Sequence, residues 1–233
     1  MGARSHALAI FFAATMMSCS TGAASASTGV PCAINTGPMN AKAEIVVTHA
    51  AAIPYRICCR RNQLVDRVIK QTGKWPDCDH LPAMLGGSVP GKRLLFVDVG
   101  ANIGACSLLM AAHGHRIVSF EPVPQTFRAL AAGFAANNFT GSATTLVNAA
   151  ASTEVGVSTI STKLGNAGHS FTGGRGAVAA DASGYEVFDI ETTTLDTVVH
   201  EHVHLMKIDT QGHELKALKG ARELMRRHGI DRI

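Results

Sequence analysis

The chain has 233 residues, 46% of them hydrophobic, enough for one α/β domain with a sizeable core. Aromatics make up only 5%, so alanine-rich packing of helices on a sheet is favoured over an aromatic platform for nucleic-acid bases. The formal charge is +4, and much of the excess lies in Arg56, Arg60, Arg61, Arg67, Lys70 and Lys74, which read as a solvated helix face; no nucleic-acid partner is expected.

Residues 1–26 read as a secretory signal. "MGARSH" carries an arginine, "ALAIFFAATMM" is uncharged and apolar, and Ala24-Ser25-Ala26 offers an A-x-A cleavage site. The apolar core is shorter than the ~20 residues of a bilayer span. No charge occurs from Ala7 to Val30, so an uncleaved signal anchor is the alternative, and the only case in which membrane contact is expected. The expected location is the secretory lumen or the exterior. Past the signal stand Cys32, Cys58, Cys59, Cys78 and Cys106. The first four suit two disulfides in an oxidising compartment, their pairing left open. Cys106, in an apolar helix, reads as a buried thiol.

Residues 27–90 read as a cysteine-containing extension with one helix. A linker runs to about residue 55, with a short strand in "AEIVVTHAA". The spacing of Ile57, Leu64, Val65, Val68 and Ile69 predicts a helix over 56–72. Trp75 to Pro90 reads as a loop. Residues 91–233 then alternate. "RLLFVDV" is a buried strand, "IGACSLLMAAHG" a helix closed by Gly114, and "RIVSFEP" a second strand. "PQTFRALAAGFAANN" is a helix with Pro124 in its first turn, and "ATTLVNAA" a third strand. This order predicts a doubly wound, mostly parallel sheet. From Ala151 to Asp189 the strands "VGVSTIS" and "YEVFDIETT", separated by glycine-rich chain, read as a small excursion over the sheet. "VHLMKID" is a fourth core strand. "HELKALKGARELMRRHG" reads as one helix burying Leu215, Leu218, Ala221, Leu224 and Met225. "IDRI" begins a fifth strand, so the domain is expected to be truncated there.

The turn after the first core strand carries the chemistry. Gly100-Ala-Asn-Ile-Gly104 lacks the third glycine of a dinucleotide fingerprint, and Asp98 occupies the strand end. An acid there suits a ligand with its own positive charge and an amino-acid group, such as S-adenosyl-L-methionine. Asp98 and the turn's backbone groups would hold the methionine end. The glycines would let the backbone approach, and Asn102 would bond the ligand carboxylate. About 20 residues on, Glu121 ends the second strand, where an acid accepts from ribose hydroxyls.

"FVDVGANIG…VSFEPVP", "LVNAAAS", "TTLD" and "MKIDTQGHELKALKGA", in that order, resemble the FkbM-type methyltransferase family over about residues 94–233. The resemblance implies a class I methyltransferase (Rossmann-like) fold and methylation of a hydroxyl on a glycan or small molecule. It implies donor contacts at Asp98, Gly100, Ala101, Asn102, Gly104, Glu121 and Pro122, with Asn148 and Ala149 near the adenine. The family usually has an acid where this chain has Gln211, and it continues through further strands. A donor-binding pseudoenzyme or inactive fragment is therefore the alternative reading.

An alcohol's proton has a pKa near water's, ~15.7, so O-methylation benefits from a base. Asp209, at the end of the fourth strand, is the first candidate, with a donor-orienting role as its rival reading. His213 and Glu214, opening the next helix, follow; for Glu214 a helix-end charge is the alternative. His169 in the excursion reads as a surface histidine. His200, His202 and His204 would share a face if extended. They lie, with His113 and His115, at the rim opposite the donor crevice, so no metal serves the expected reaction. The sequence sets no oligomeric state.

Overall fold

A computed structural model describes residues 32, 43–49, 51, 53–60, 63–86, 93–163, 166–172 and 185–233. The signal region and Arg61 lie outside them. Four parallel strands form the central sheet: β3 (Leu95–Val99), β4 (Arg116–Phe120), β5 (Thr144–Val147) and β10 (Leu205–Ile208), in the order β10–β3–β4–β5. Alternation along β3 explains its two faces. Leu95, Val97 and Val99 enter one core with Val118, Phe120, Val203 and Met206, while Phe96 enters the other with Ile117 and Leu205. Being buried on both faces, the parallel strands read as continuous apolar runs. Val203 and Ile230 make a parallel bridge outside β10, so the chain's last residues run beside that strand.

On one face lie α3 (Ala105–Ala112) and α4 (Pro124–Ala136). On the other lie α5 (Leu195–Val198), α6 (Glu214–Lys219) and α7 (Arg222–Arg227). The single helix expected over 213–229 is therefore two. Its apolar face also differs: Ala217, Ala221 and Leu224 are buried, whereas Leu215 is 64% and Met225 40% exposed. The break at Gly220 resets the helical phase. Asp196 then caps α7, its carboxylate accepting from Glu223 N at 3.1 Å and Leu224 N at 2.7 Å.

The extension packs on the α3/α4 face. The hairpin β1 (Glu44–Val47) and β2 (Arg56–Cys59) precedes α1 (Leu64–Thr72), a 3₁₀ turn at Pro76–Cys78, and α2 (Leu81–Met84). Residues 56–59 are thus strand rather than helix. In-register pairing with Glu44–Val47 and full burial of Ile57, Cys58 and Cys59 override the helical spacing. The basic residues do not form one solvated face either. Lys70 pairs with Glu44 at 2.6 Å, Lys74 pairs with Asp79, and Arg60 donates to Thr126 Oγ1 at 2.7 Å and pairs with buried Asp66 at 3.5 Å. Disulfides join Cys32 to Cys58 and Cys78 to Cys106. Cys106 is therefore no free thiol. Cys59 is the free one among the described residues, and burial pushes its thiol up to about 12.

The excursion is a second sheet: β6 (Ala150–Ala151), β7 (Gly156–Lys163), β8 (Asn166–Thr172) and β9 (Tyr185–Thr193), ordered β6–β9–β7–β8. Strand β8 occupies chain expected to be a glycine-rich connection; antiparallel pairing with β7 recruits it. It comes against α1 of the extension. The His169 side chain lies outside the described residues.

Candidate active site

A cavity of about 280 Å³ opens at the carboxyl ends of β3, β4 and β10, the usual ligand position in an open α/β sheet. The first three residues of the Gly100–Gly104 turn line it. Gly100 has φ 83°, and a Cβ there would lie 2.0 Å from the Asp209 carbonyl oxygen; at Gly104, φ 89°, it would lie 2.4 Å from Leu130 Cδ1. Both glycines answer first to the protein's own packing. Gly104 opens α3 and does not line the cavity.

All five turn N–H groups already have acceptors within the protein. Gly100 N and Ala101 N donate to Phe120 O at 3.0 and 2.9 Å, and Gly104 N to Ala101 O at 2.9 Å. Ile103 N donates to Asn102 Oδ1 at 2.8 Å, and Asn102 N to Glu121 Oε2 at 2.9 Å. The Asn102 side chain thus shapes the turn, where its residue adopts φ 53°. Gly100, Ala101 and Asn102 line the cavity. The turn's amides are thus engaged within the protein, which leaves its carbonyl groups as the backbone atoms available to a ligand.

Glu121 joins two loops. Its other oxygen accepts from Val123 N at 2.9 Å. It is 6% exposed and lines the cavity. Burial pushes its carboxyl up to about 7 against the lowering effect of the Val123 and Asn102 amides. Each oxygen retains a further lone pair.

Asp98 does not line the cavity. It is fully buried, accepting from Ser107 Oγ at 2.6 Å and from Lys207 Nζ at 3.2 Å. Its partner Lys207, a residue the sequence reading missed, does line the cavity. It also donates to Gly100 O at 3.4 Å and stands 3.8 Å from Asp209. Burial opposes that charge, but Asp98 and Asp209 outweigh burial and raise its pKa above the usual lysine value.

Pro122, Val123, Ala149, Ala150 and Ile160 supply an apolar wall. Asn148 is not part of it; its amide donates to Glu121 O at 2.8 Å and Pro122 O at 3.2 Å, holding the β4 turn. Asp209 and His213 both line the cavity. Asp209 accepts from Gln211 Nε2 at 2.7 Å. His213 is buried, with Nε2 3.4 Å from Ser152 Oγ, and burial lowers its pKa below 6.5. Glu214 lies outside the lining. Its carboxylate accepts from Thr210 N and Gly212 N, both at 3.0 Å; these amides hold its pKa low, led by that of Gly212.

The methyltransferase FkbM domain model matches residues 98–232. The chain belongs to the FkbM methyltransferase family. A crystal structure of methyltransferase FkbM from Methylobacillus flagellatus KT is 22% identical, with a TM-score of 0.40 over 58% of this chain and 31% of that one. The chain thus spans less than a third of that protein's length. No curated protein matches the chain. Leu64, Val65, Trp75 and Asp77 also line the cavity, and all four precede the FkbM match. The signal for their presence was α3, whose "ACSLLM" is buried all round; such a helix needs cover on its outer side.

At the opposite rim, ligand atoms of His202, His204 and Asp231 lie within 4.8 Å of one another. His204 Nδ1 already accepts from Leu95 N at 3.1 Å, and His202 Nε2 stands 3.0 Å from Asp231 Oδ1. This grouping is remote from the cavity.

Proposed function

We propose that the chain is an S-adenosyl-L-methionine-dependent O-methyltransferase acting on a hydroxyl of a glycan or small molecule. The observation that carries this reading is a carboxylate and an ammonium, Glu121 and Lys207, in one cavity with an apolar wall. The donor's chemistry fits that set. Glu121 would accept from the ribose diol, Lys207 would meet the amino-acid carboxylate, and Val123, Ala149 and Ala150 would flank the adenine. Bound there, the donor supplies an activated methyl group, so the protein's main contribution is alignment.

His213 is the proton acceptor in this reading. Burial keeps its ring neutral at pH 7, whereas Asp209 is engaged by Gln211 and Lys207 and serves to orient the donor. Two cystines support an oxidising compartment, in keeping with the secretory lumen. Among the described residues no helix is long and apolar enough to cross a membrane.

Calorimetry with S-adenosyl-L-methionine tests the reading. Binding by the full chain, weakened roughly 10- to 100-fold in Glu121→Ala and Lys207→Ala, is expected from losing hydrogen bonds to charged groups. Absence of binding by the folded wild type overturns it.

A further inference from the structure

One wall of the cavity comes from outside the FkbM-matched residues. Leu64 and Val65 from α1, and Trp75 and Asp77 from the following turn, face the same space as Glu121, Lys207 and Asp209. The turn is firmly held. Cys78 N donates to Trp75 O at 3.2 Å, Lys74 pairs with Asp79, and Cys78 is bonded to Cys106, itself a lining residue of α3. Tyr55 Oη adds a tie, donating to Ala105 O at 3.0 Å. Trp75 packs partly against the core, and Asp77 is exposed. The extension thus contributes a fixed aromatic ring and a carboxylate to the lining of the cavity.

We infer that Trp75 and Asp77 form the acceptor subsite and that the acceptor is a pyranose ring. This rests on the methyl-transfer reading above and narrows its substrate. Two parts of the cavity lining differ in character. The extension contributes Leu64, Val65 and the indole beside the Asp77 carboxylate; the loop after β10 contributes the polar Thr210 and Gln211, next to the Lys207 and Asp209 that serve the donor. A flat aromatic acceptor wants apolar surface on both faces. A sugar ring has one face of C–H groups and a rim of hydroxyls, which matches an aromatic surface and polar groups in one cavity. The Trp75 ring takes the C–H face, and the Asp77 carboxylate accepts from a hydroxyl. Specificity for the acceptor then resides in the cystine-bound extension.

Trp75 is the chain's only tryptophan, so its fluorescence reports this wall alone. The test titrates the full, oxidised chain with methyl α- and β-pyranosides of the common hexoses, and with sorbitol as an open-chain polyol. A saturable fluorescence change with at least one pyranoside and none with sorbitol is the expected result. No response to any pyranoside, or an equal response to sorbitol, overturns the proposal. By ligand-observed NMR, Asp77→Asn and Trp75→Ala are expected to weaken the responding pyranoside about 10-fold or more, with Trp75→Phe retaining most of the affinity. Unchanged affinity in both Asp77→Asn and Trp75→Ala also overturns it. Calorimetry with S-adenosyl-L-methionine on the same samples separates the two readings. Donor binding without a pyranoside response removes the subsite alone, whereas a pyranoside response without donor binding removes the methyl-transfer reading and, with it, the acceptor role proposed for Trp75 and Asp77.

Discussion

Lys207 Nζ stands 3.2 Å from Asp98 Oδ1, and that carboxylate has no exposure to solvent. The two residues are direct partners in the β10–β3 register. Asp98, Ser107 and Ser119 form a buried polar chain behind the glycine turn, with Ser107 Oγ 2.8 Å from Ser119 Oγ. The acid in the strand thus acts on the cavity through the lysine it holds there.

Removing one partner of such a pair leaves the other charge buried and uncompensated. Lys207→Met is expected to lower stability by about 3–5 kcal/mol, read from urea denaturation. Adding Asp98→Asn should restore part of that loss, because the remaining group is neutral and still bonds Ser107. A Lys207→Met protein as stable as the wild type contradicts the pairing.

Glu121 gives the fold a pH dependence. Its carboxyl is raised from 4.5 to about 7 by burial. Below about pH 4.5 it is protonated in both folded and unfolded chains, and its contribution is intact. Between 4.5 and 7 the unfolded chain ionises while the folded one keeps its proton, so stability falls as pH rises. Above 7 the loss is complete, at about 3 kcal/mol. Denaturation midpoints measured from pH 4 to pH 8 should fall over that window in the wild type and lose this component in Glu121→Ala. A rising trend attributable to Glu121 would refute the assignment.

The alternation of β3, α3, β4, α4, β5 and β10 was legible because each buried strand is a short apolar run and each helix is long enough to show its period. Arg56–Cys59 was not, because four apolar-rich residues beside a helix fit either period until a partner strand selects one. A continuous helical count over residues 213–229 cannot see the break at Gly220 and so assigns Leu215 and Met225 to the buried face. At the site, Glu121 and the glycine turn were legible as types, but their hydrogen-bond partners depend on how two loops meet. Lys207 left a signal that could have been used: a lysine in a buried strand, beside a strand carrying Asp98, calls for a counter-charge. Trp75 and Asp77 enter the cavity through the Cys78–Cys106 bond, and sequence alone cannot assign cysteine pairs.

That bond closes a sequence separation of 28 residues between the extension and α3. Cys78→Ser with Cys106→Ser is expected to destabilise the chain by about 3 kcal/mol. Peptide mapping of protein from a secretory host should recover Cys78 linked to Cys106 and Cys32 linked to Cys58. Cys59 should resist alkylation until denaturant is added, since its thiol is buried and held protonated. Rapid labelling of Cys59 in the native protein, or a free Cys106, contradicts this arrangement.

The last prediction concerns the base. His213 and Asp209 share the cavity but differ in surroundings: the histidine is buried near Ser152, and the carboxylate is bound by Gln211 and lies 3.8 Å from an ammonium. If His213 takes the acceptor's proton, His213→Ala should lower kcat on the order of 10²–10⁴-fold and leave donor affinity close to that of the wild type. Because burial lowers the His213 pKa below 6.5, the ring stays neutral through pH 7 and turnover should fall only at a lower pH, as it gains a proton. Asp209→Asn should behave differently, weakening the donor and turnover together, since its carboxylate orients the donor beside Lys207. Steady-state kinetics across pH, paired with donor calorimetry on each variant, reads both. If Asp209→Asn instead abolishes turnover with donor affinity intact, and His213→Ala leaves kcat unchanged, the proton goes to Asp209.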